Sequence, residues 1–321
     1  MYKLTDLDCR TSFTGYIPFS LKDRKRINIL ALGDVGGMLL TGLKLLGGDV
    51  VESIGICDIS TTVSQRYEME MNQIAYPFDS IKLPQVECIT IENLFKCDLF
   101  IFCASKAVPT VDEKVQDVRM VQFESNKKIV EQYAKLAADN HFKGLFAVVS
   151  DPVDPLCKAA YLAAEGKLLA EQIQGFGLGV MNSRATYYAK KDNRFKDFLV
   201  EGRAFGPHGK DLVIANSLLN YNDEISLELT KLTVESNLKV RELGFKPYIA
   251  PALSSGVISI LLTLRGEWHY SSNFIGKDQE GAYVGALNRM TVSGTELEGF
   301  LMPEQLFLRI KNAYDNLKNI I

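Results

Sequence analysis

The chain has 321 residues, of which 47% are hydrophobic and 23% charged, with 36 basic and 39 acidic side chains. The formal net charge of −3 gives no field of a single sign, so neither nucleic acid nor an anionic membrane is an expected partner. The amino terminus lacks the apolar core of a signal peptide, and no run of about 20 apolar residues would span a bilayer. We therefore expect a cytoplasmic protein with two domains.

The cysteines and histidines give no sign of a metal site. There are six cysteines without a CxxC pair and only three histidines, and no cluster shows ligand spacing. Because several cysteines fall in apolar, strand-like runs, we interpret them as reduced core thiols of a reducing compartment. The cysteines are Cys9, Cys57, Cys88, Cys97, Cys103 and Cys157.

The first half of the chain alternates strand and helix patterns. Apolar β runs are predicted at 27–32, 50–57, 98–103 and 144–149, with a helical repeat after the first run and another over 115–140. This alternation is typical of βαβ units and predicts an α/β fold with a doubly wound parallel Rossmann sheet. Such sheets bind ligands at the carboxyl ends of their strands.

The second half is less regular and predicts a smaller α+β domain. Its β runs lie at 173–177, 198–205, 268–275 and 282–292, and its helices at 225–243, 250–264 and 303–317. We divide the chain into an arm (1–26), a Rossmann domain (27–164) and an α+β substrate domain (165–321). The arm is expected to pack on the protein or contact another subunit.

A glycine-rich turn follows the first strand and reads ALGDVGG over residues 31–37, which is GxGxxG with alanine in the first place. Gly33 would let the backbone approach a diphosphate, and Gly36 would let the helix pack on the strand. The helix start, with Asp34 and Val35 in its first turn, supplies free N–H groups and a positive dipole end. A glycine-rich turn without a ligand is the alternative.

An acidic residue at the end of the second strand favours the dinucleotide interpretation. Asp58 lies 22 residues after Gly36, where a carboxylate can accept both ribose hydroxyl protons. A carboxylate there repels a 2′-phosphate, and the next arginine is Arg66. The sequence therefore favours NAD over NADP.

Any imidazole acid or base must be one of three residues, His141, His208 or His269. His141 and His269 fit surface or packing positions. His208 lies in the segment GPHGK, where flanking glycines let backbone and ligand approach the ring, although a plain loop histidine is the alternative. Since histidine titrates near neutrality, His208 suits proton exchange with an alcohol or carbonyl oxygen.

The order of these pieces resembles the lactate and malate dehydrogenases from about residue 27 to the end of the chain. After the glycine turn and Asp58, the matching pieces are the strand end at Ala104, Arg119 seven residues before Asn126, SDPVD from Ser150 to Asp154, and GPHGK around His208. The resemblance implies NAD as cofactor, hydride transfer between nicotinamide and a 2-oxo or 2-hydroxy acid, and a homodimer or homotetramer. It also implies that Ala104, Asn126 and Ser150 contact the cofactor.

The resemblance also implies catalytic roles for three residues. His208 would be the acid/base that protonates the reduced carbonyl, and Arg119 would polarise that carbonyl. Arg184 would hold the substrate carboxylate through a bidentate fork. Each arginine has the alternative of a surface salt bridge.

Two departures from the family pattern concern the catalytic histidine. Met181 stands where the family has the aspartate that orients it, and Asp151 stands where the family has asparagine. We hypothesise that Asp151 replaces the lost carboxylate and holds the imidazolium form of His208. The competing interpretation is a catalytically weak NAD-binding protein, a sensor or an assembly subunit. The loop between Ala104 and Arg119 is about five residues longer than usual and does not define which 2-oxo acid is the substrate.

Overall fold

This computed structural model describes residues 1–106 and 118–321, except for the side chains of residues 79 and 118–121. The described residues contain eleven strands and nine α-helices. The strands are β1 (Lys25–Leu30), β2 (Val51–Cys57), β3 (Gln85–Cys88), β4 (Leu99–Phe102), β5 (Leu145–Val148), β6 (Ile173–Gly175), β7 (Arg203–Phe205), β8 (Val213–Ala215), β9 (His269–Lys277), β10 (Glu280–Thr291) and β11 (Gly294–Leu297).

The α-helices are α1 (Asp34–Leu46), α2 (Thr61–Asn72), α3 (Val118–Asp139), α4 (Val153–Ala163), α5 (Leu178–Ala189), α6 (Phe198–Glu201), α7 (Asp223–Glu242), α8 (Ser259–Arg265) and α9 (Glu304–Lys318). A π-helical segment, Pro251–Ile258, leads into α8. Short 3₁₀ turns occur at Leu4–Leu7, Pro77–Asp79, Ile91–Asn93, Ala170–Gln172 and Asn193–Phe195. No helix in the described ranges is both long and apolar enough to cross a membrane.

Nine of the strands form one sheet in the order β11-β10-β9-β6-β5-β4-β1-β2-β3. The six strands from β6 to β3 are parallel and follow the order of a Rossmann sheet. Strands β9 to β11 continue the sheet in antiparallel pairing, and β7 pairs with β8 separately. The predicted fold class is confirmed.

The central strand β4 shows why the parallel strands are apolar on both faces. Phe100 and Phe102 are buried in the core on one face, whereas Leu99 and Ile101 are buried in the core on the other. Helix α1 contributes Leu39 to the second core. Covering both faces with helices requires such continuous apolar runs, and each of the four predicted runs overlaps an observed strand.

The strand predicted at 198–205 is wrong in its first half. Residues Phe198–Glu201 form the helical turn α6, and only Arg203–Phe205 is a strand. Phe198 is buried while its neighbours Leu199 and Val200 are exposed, which fits one turn of helix and not the alternation of a strand. The apolar residues alone did not distinguish these patterns.

The helix predicted at 250–264 exists but begins as a π-helix over Pro251–Ile258. This segment packs against α1 with a glycine on each side of the contact. A Cβ at Gly256 would lie 2.7 Å from Leu39 of α1, and a Cβ at Gly42 of α1 would lie 2.5 Å from Val257. The two helices therefore approach each other closely through these glycines.

The amino-terminal arm packs on the protein itself. Leu4 and Leu7 are buried in a core with α9, where Tyr2 stacks on Phe307 with ring centroids 4.4 Å apart. Phe19 is buried in the core of the parallel sheet. The division at residue 164 stays a prediction, since β6, the sixth parallel strand, lies beyond it in a sheet shared by both halves.

Candidate functional site

The predicted pieces converge at the carboxyl edge of the parallel sheet. The glycine turn follows β1, Asp58 follows β2, the 103–106 segment follows β4, and residues 149–154 follow β5. Because β1, β4 and β5 are adjacent and parallel, these segments lie side by side. This is the edge at which doubly wound sheets bind ligands.

The glycine turn is tight where it leaves β1. Ala31 has a φ of +72°, and its N–H donates to the Cys57 carbonyl at 2.8 Å. A Cβ at Gly36 would lie only 2.0 Å from the Ala31 carbonyl oxygen. Gly36 therefore lets α1 pack against the strand end, as the motif predicts.

Gly33 differs from Gly36 because open space surrounds it. It caps the amino terminus of α1, and a Cβ built on it would meet no atom within 4 Å. The first-turn N–H groups of a helix have no intrahelical partner and favour anions. The turn thus has the open backbone and the helix start that a diphosphate needs.

Asp58 follows β2 directly, at the strand end where the sequence analysis placed it, and also lies against the glycine turn. Its Oδ2 accepts the Leu32 N–H at 2.7 Å, and its Oδ1 accepts the Ser60 N–H at 2.9 Å. The carboxylate is partly exposed. It both fixes the turn and presents a negative charge at the end of β2.

Ala31→Gly should stabilise the protein by up to about 1 kcal/mol, because the relief of about 1–2 kcal/mol of left-handed strain exceeds the entropic cost of about 0.5–1 kcal/mol that glycine adds. The measurement is the free energy of unfolding in urea for both proteins. An unchanged or lower value for Ala31→Gly would contradict the strain that we assign to this turn.

Polar contacts join the segments after β4 and β5. Ser150 Oγ donates to the Ala104 carbonyl at 2.8 Å. Asn126 of α3 is fully buried, its Oδ1 accepts the Lys106 N–H at 2.9 Å, and its Nδ2 donates to the Asp151 carbonyl at 2.7 Å. Asn126 therefore fixes the backbone on both sides of the site.

The histidine predicted to be catalytic contacts the aspartate predicted to support it. His208 Nδ1 lies 2.9 Å from Asp151 Oδ1, and the two side chains are 14% and 50% exposed. Because an ionised carboxylate only accepts, the proton lies on Nδ1, which leaves Nε2 for a substrate oxygen. Gly177 makes room for the ring, since a Cβ there would lie 2.9 Å from the His208 Cβ.

Asp154 holds the backbone of the same loop, a contact that the sequence analysis did not identify. Its Oδ2 accepts the His208 N–H at 3.2 Å, and Oδ1 accepts the hydroxyl of Ser272. Burial raises the pKa of Asp154 to about 6, while these hydrogen bonds oppose the shift. Its place in the SDPVD segment, at the start of an apolar helix, was the available signal.

The raised pKa makes the contribution of Asp154 to stability depend on pH. Since the folded protein binds the Asp154 proton more tightly than the unfolded chain, this group stabilises the fold at low pH and loses that effect as pH rises. The free energy of unfolding of the wild type relative to Asp154→Asn should fall by about 2–3 kcal/mol between about pH 4 and pH 7. Urea unfolding across this range measures it, and a difference independent of pH would contradict the assignment.

Arg184 lies on α5, one turn after Met181. Its Nη1 donates to Met181 Sδ at 3.6 Å, and Met181 is 3% exposed. Burial lowers the pKa of Arg184, while the charges of Asp151 and Tyr188 oppose that shift. The guanidinium is therefore partly buried and not a fully solvated surface group.

Three other residues from the sequence analysis are not shown to contact the site. The Arg119 backbone is in α3, but its side chain lies outside the described residues, so its predicted role is untested. His269 is buried, its Nδ1–H donates to the Glu267 carbonyl at 3.0 Å, and burial lowers its pKa to about 4. His141 is exposed, so both fit the surface or packing interpretation.

Two cysteines are not core thiols as predicted, because Cys9 is exposed in the arm and Cys88 is exposed at the end of β3, an edge strand. All six cysteines are free. Within the described ranges, no group of three or more His, Cys, Asp or Glu side chains is placed to hold a metal ion.

Comparison with known proteins identifies the fold. No family model and no curated protein matches the chain. The minor L-lactate dehydrogenase from Enterococcus mundtii matches with a TM-score of 0.74 and 19% identity, covering 93% of this chain and 97% of that one. The malate dehydrogenase from Picrophilus torridus gives 0.74 and 18%, covering 92% and 96%.

This chain has the lactate/malate dehydrogenase fold. A third similar structure, the Archaeoglobus fulgidus malate dehydrogenase in complex with NADH, has a TM-score of 0.73 and 16% identity, and covers 92% of this chain and 98% of that one. The likeness runs through both halves of the chain. At these identities it establishes the dehydrogenase fold, and it confirms at that level the resemblance drawn from the motifs.

Proposed function

We propose that the chain is an NAD-dependent oxidoreductase that reduces a 2-oxo acid to a 2-hydroxy acid by hydride transfer. The observation that carries this proposal is the 2.9 Å contact between His208 Nδ1 and Asp151 Oδ1 at the carboxyl edge of the sheet. It supplies the carboxylate partner that the family pattern requires, although from a different position. We also propose a cytoplasmic homodimer or homotetramer, following the likeness to these dehydrogenases.

The glycine turn fits a dinucleotide on its own geometry. The backbone at Gly33 is open, the start of α1 lies beside it, and Asp58 stands at the end of the neighbouring strand. When bound, NADH would supply the hydride. The residues proposed to hold it are Gly33, Asp34, Val35 and Gly36 through their backbone, together with Asp58, Ala104 and Ser150. Asn126, which is fully buried, would support the site through the backbone segments that it joins.

The catalytic residues would divide the remaining chemistry. His208 Nε2 gives its proton to the carbonyl oxygen of the substrate as that carbon is reduced. Asp151 keeps the ring oriented through Nδ1–H and stabilises its charged form. Arg184 binds the substrate carboxylate with its planar fork, and Arg119 polarises the carbonyl.

A second candidate function is NAD binding with little turnover, as in a sensor or an assembly subunit. The observation in its favour is Met181, whose buried thioether contacts Arg184 where the family has a carboxylate. A thioether cannot stabilise a charged imidazole. In this case NADH binds and no 2-oxo acid is reduced.

One assay separates these functions. The purified full chain is mixed with NADH and a panel of small and aromatic 2-oxo acids, and loss of NADH absorbance is followed. Turnover with at least one acid is the expected result. Tight NADH binding without turnover on any acid would favour the second candidate.

A further inference from the structure

The glycine turn carries a negative charge where the proposed function places a diphosphate. Asp34 is the first residue of α1, and its side chain is 52% exposed. A carboxylate suits the positive end of the helix dipole, but it also repels an anion that approaches the same N–H groups. A diphosphate at this turn therefore needs a compensating positive charge.

A lysine from the other half of the chain supplies such a charge. Lys246 Nζ lies 3.2 Å from Asp34 Oδ2, although 212 residues separate them in the sequence. The Lys246 side chain is 82% exposed. An exposed ammonium on a four-carbon stem can change partner at little cost in free energy.

The packing of α1 explains why this lysine lies at the glycine turn. The π-helical segment Pro251–Ile258 packs along α1 at two glycines, since Gly42 of α1 faces Val257 and Gly256 faces Leu39 of α1. Lys246 lies five residues before that segment. The close helix contact thus holds the end of the preceding loop beside the first turn of α1.

We propose that Lys246 is a diphosphate-binding residue of the dinucleotide site. This inference rests on the proposed function, since it concerns the same bound NADH. Without cofactor the ammonium pairs with Asp34, and with cofactor it also contacts the phosphate oxygens. The charge of Lys246 then cancels the charge of Asp34, so the turn does not repel the incoming diphosphate.

The test is a double-mutant cycle read by calorimetric titration with NADH. Lys246→Gln should weaken NADH binding about fivefold, and it should do so in both the wild-type and the Asp34→Asn backgrounds. The dependence of the dissociation constant on salt should become shallower in Lys246→Gln, because one phosphate contact is lost. Lys167→Gln is the matched control, since Lys167 forms a similarly exposed pair with Asp139 at 2.9 Å and should bind NADH like the wild type.

Two results would overturn the proposal, and they are distinguishable. If the wild type binds NADH and Lys246→Gln has no effect in the Asp34→Asn background, Lys246 acts only on Asp34 and does not bind phosphate. If the wild type itself fails to bind NADH, the proposed function fails and this inference fails with it.

Discussion

Asp151→Asn is expected to lower kcat for reduction of the best 2-oxo acid by about 10²- to 10⁴-fold. Asp151 is the carboxylate in contact with His208 Nδ1, at 2.9 Å. An amide at this position does not stabilise the charged imidazole, and it can also favour the wrong tautomer. Since Met181 offers no second carboxylate, the loss should be large.

The measurement is steady-state NADH oxidation, accompanied by an NADH titration. The dissociation constant for NADH should change little, because Asp151 acts on the histidine. Asp211→Asn is a suitable control, since Asp211 lies three residues after His208 and its Oδ2 accepts the Asn316 side chain at 2.9 Å. A drop in kcat below threefold for a folded Asp151→Asn protein would refute the relocated carboxylate.

Gly33→Val should reduce NADH affinity by about 10²-fold or more while leaving the fold intact. The backbone of Gly33 is extended, with φ −68° and ψ −163°, and a Cβ there would meet no atom within 4 Å. The new side chain therefore has no clash within the protein, but it fills the space proposed for the diphosphate. Losing one or more charge-assisted hydrogen bonds to the phosphates accounts for an effect of this size.

Thermal unfolding and calorimetric titration with NADH test both parts of this prediction. Gly299→Val is the matched control, because a Cβ at Gly299 also meets nothing within 4 Å and Gly299 lies in the segment between β11 and α9. The control should keep its affinity. If Gly33→Val bound NADH as tightly as the wild type, the dinucleotide would have to bind elsewhere.

Local sequence patterns predicted five of the six parallel strands because those strands are largely buried, whereas they missed β3, an edge strand with two exposed residues. β4 is a continuous run of four buried apolar residues, and the turn after β1 contains its glycines at the spacing that helix packing requires. The sequence pattern predicted the wrong structure in the first half of the short apolar run at 198–205, which is not a strand buried on both faces. Phe198 lies in a helical turn in which tertiary packing buries its side chain. A local pattern of apolar residues does not contain that information.

The candidate site was predictable only in part, for a related reason. Asp58 and the glycine turn are close in sequence and in the sheet, so spacing alone brought them together. His208 and Asp151 are 57 residues apart, and their pairing followed from the family resemblance and the loss of an aspartate at Met181. Lys246 has no local signal, because its position depends on how the π-helical segment packs on α1.

Calorimetric titration of the full chain with NADH is the most direct test of the account. We predict saturable binding with a dissociation constant between about 1 μM and 1 mM, the range in which enzymes commonly bind their substrates. An absence of binding heat at millimolar NADH would contradict the dinucleotide site and every role derived from it.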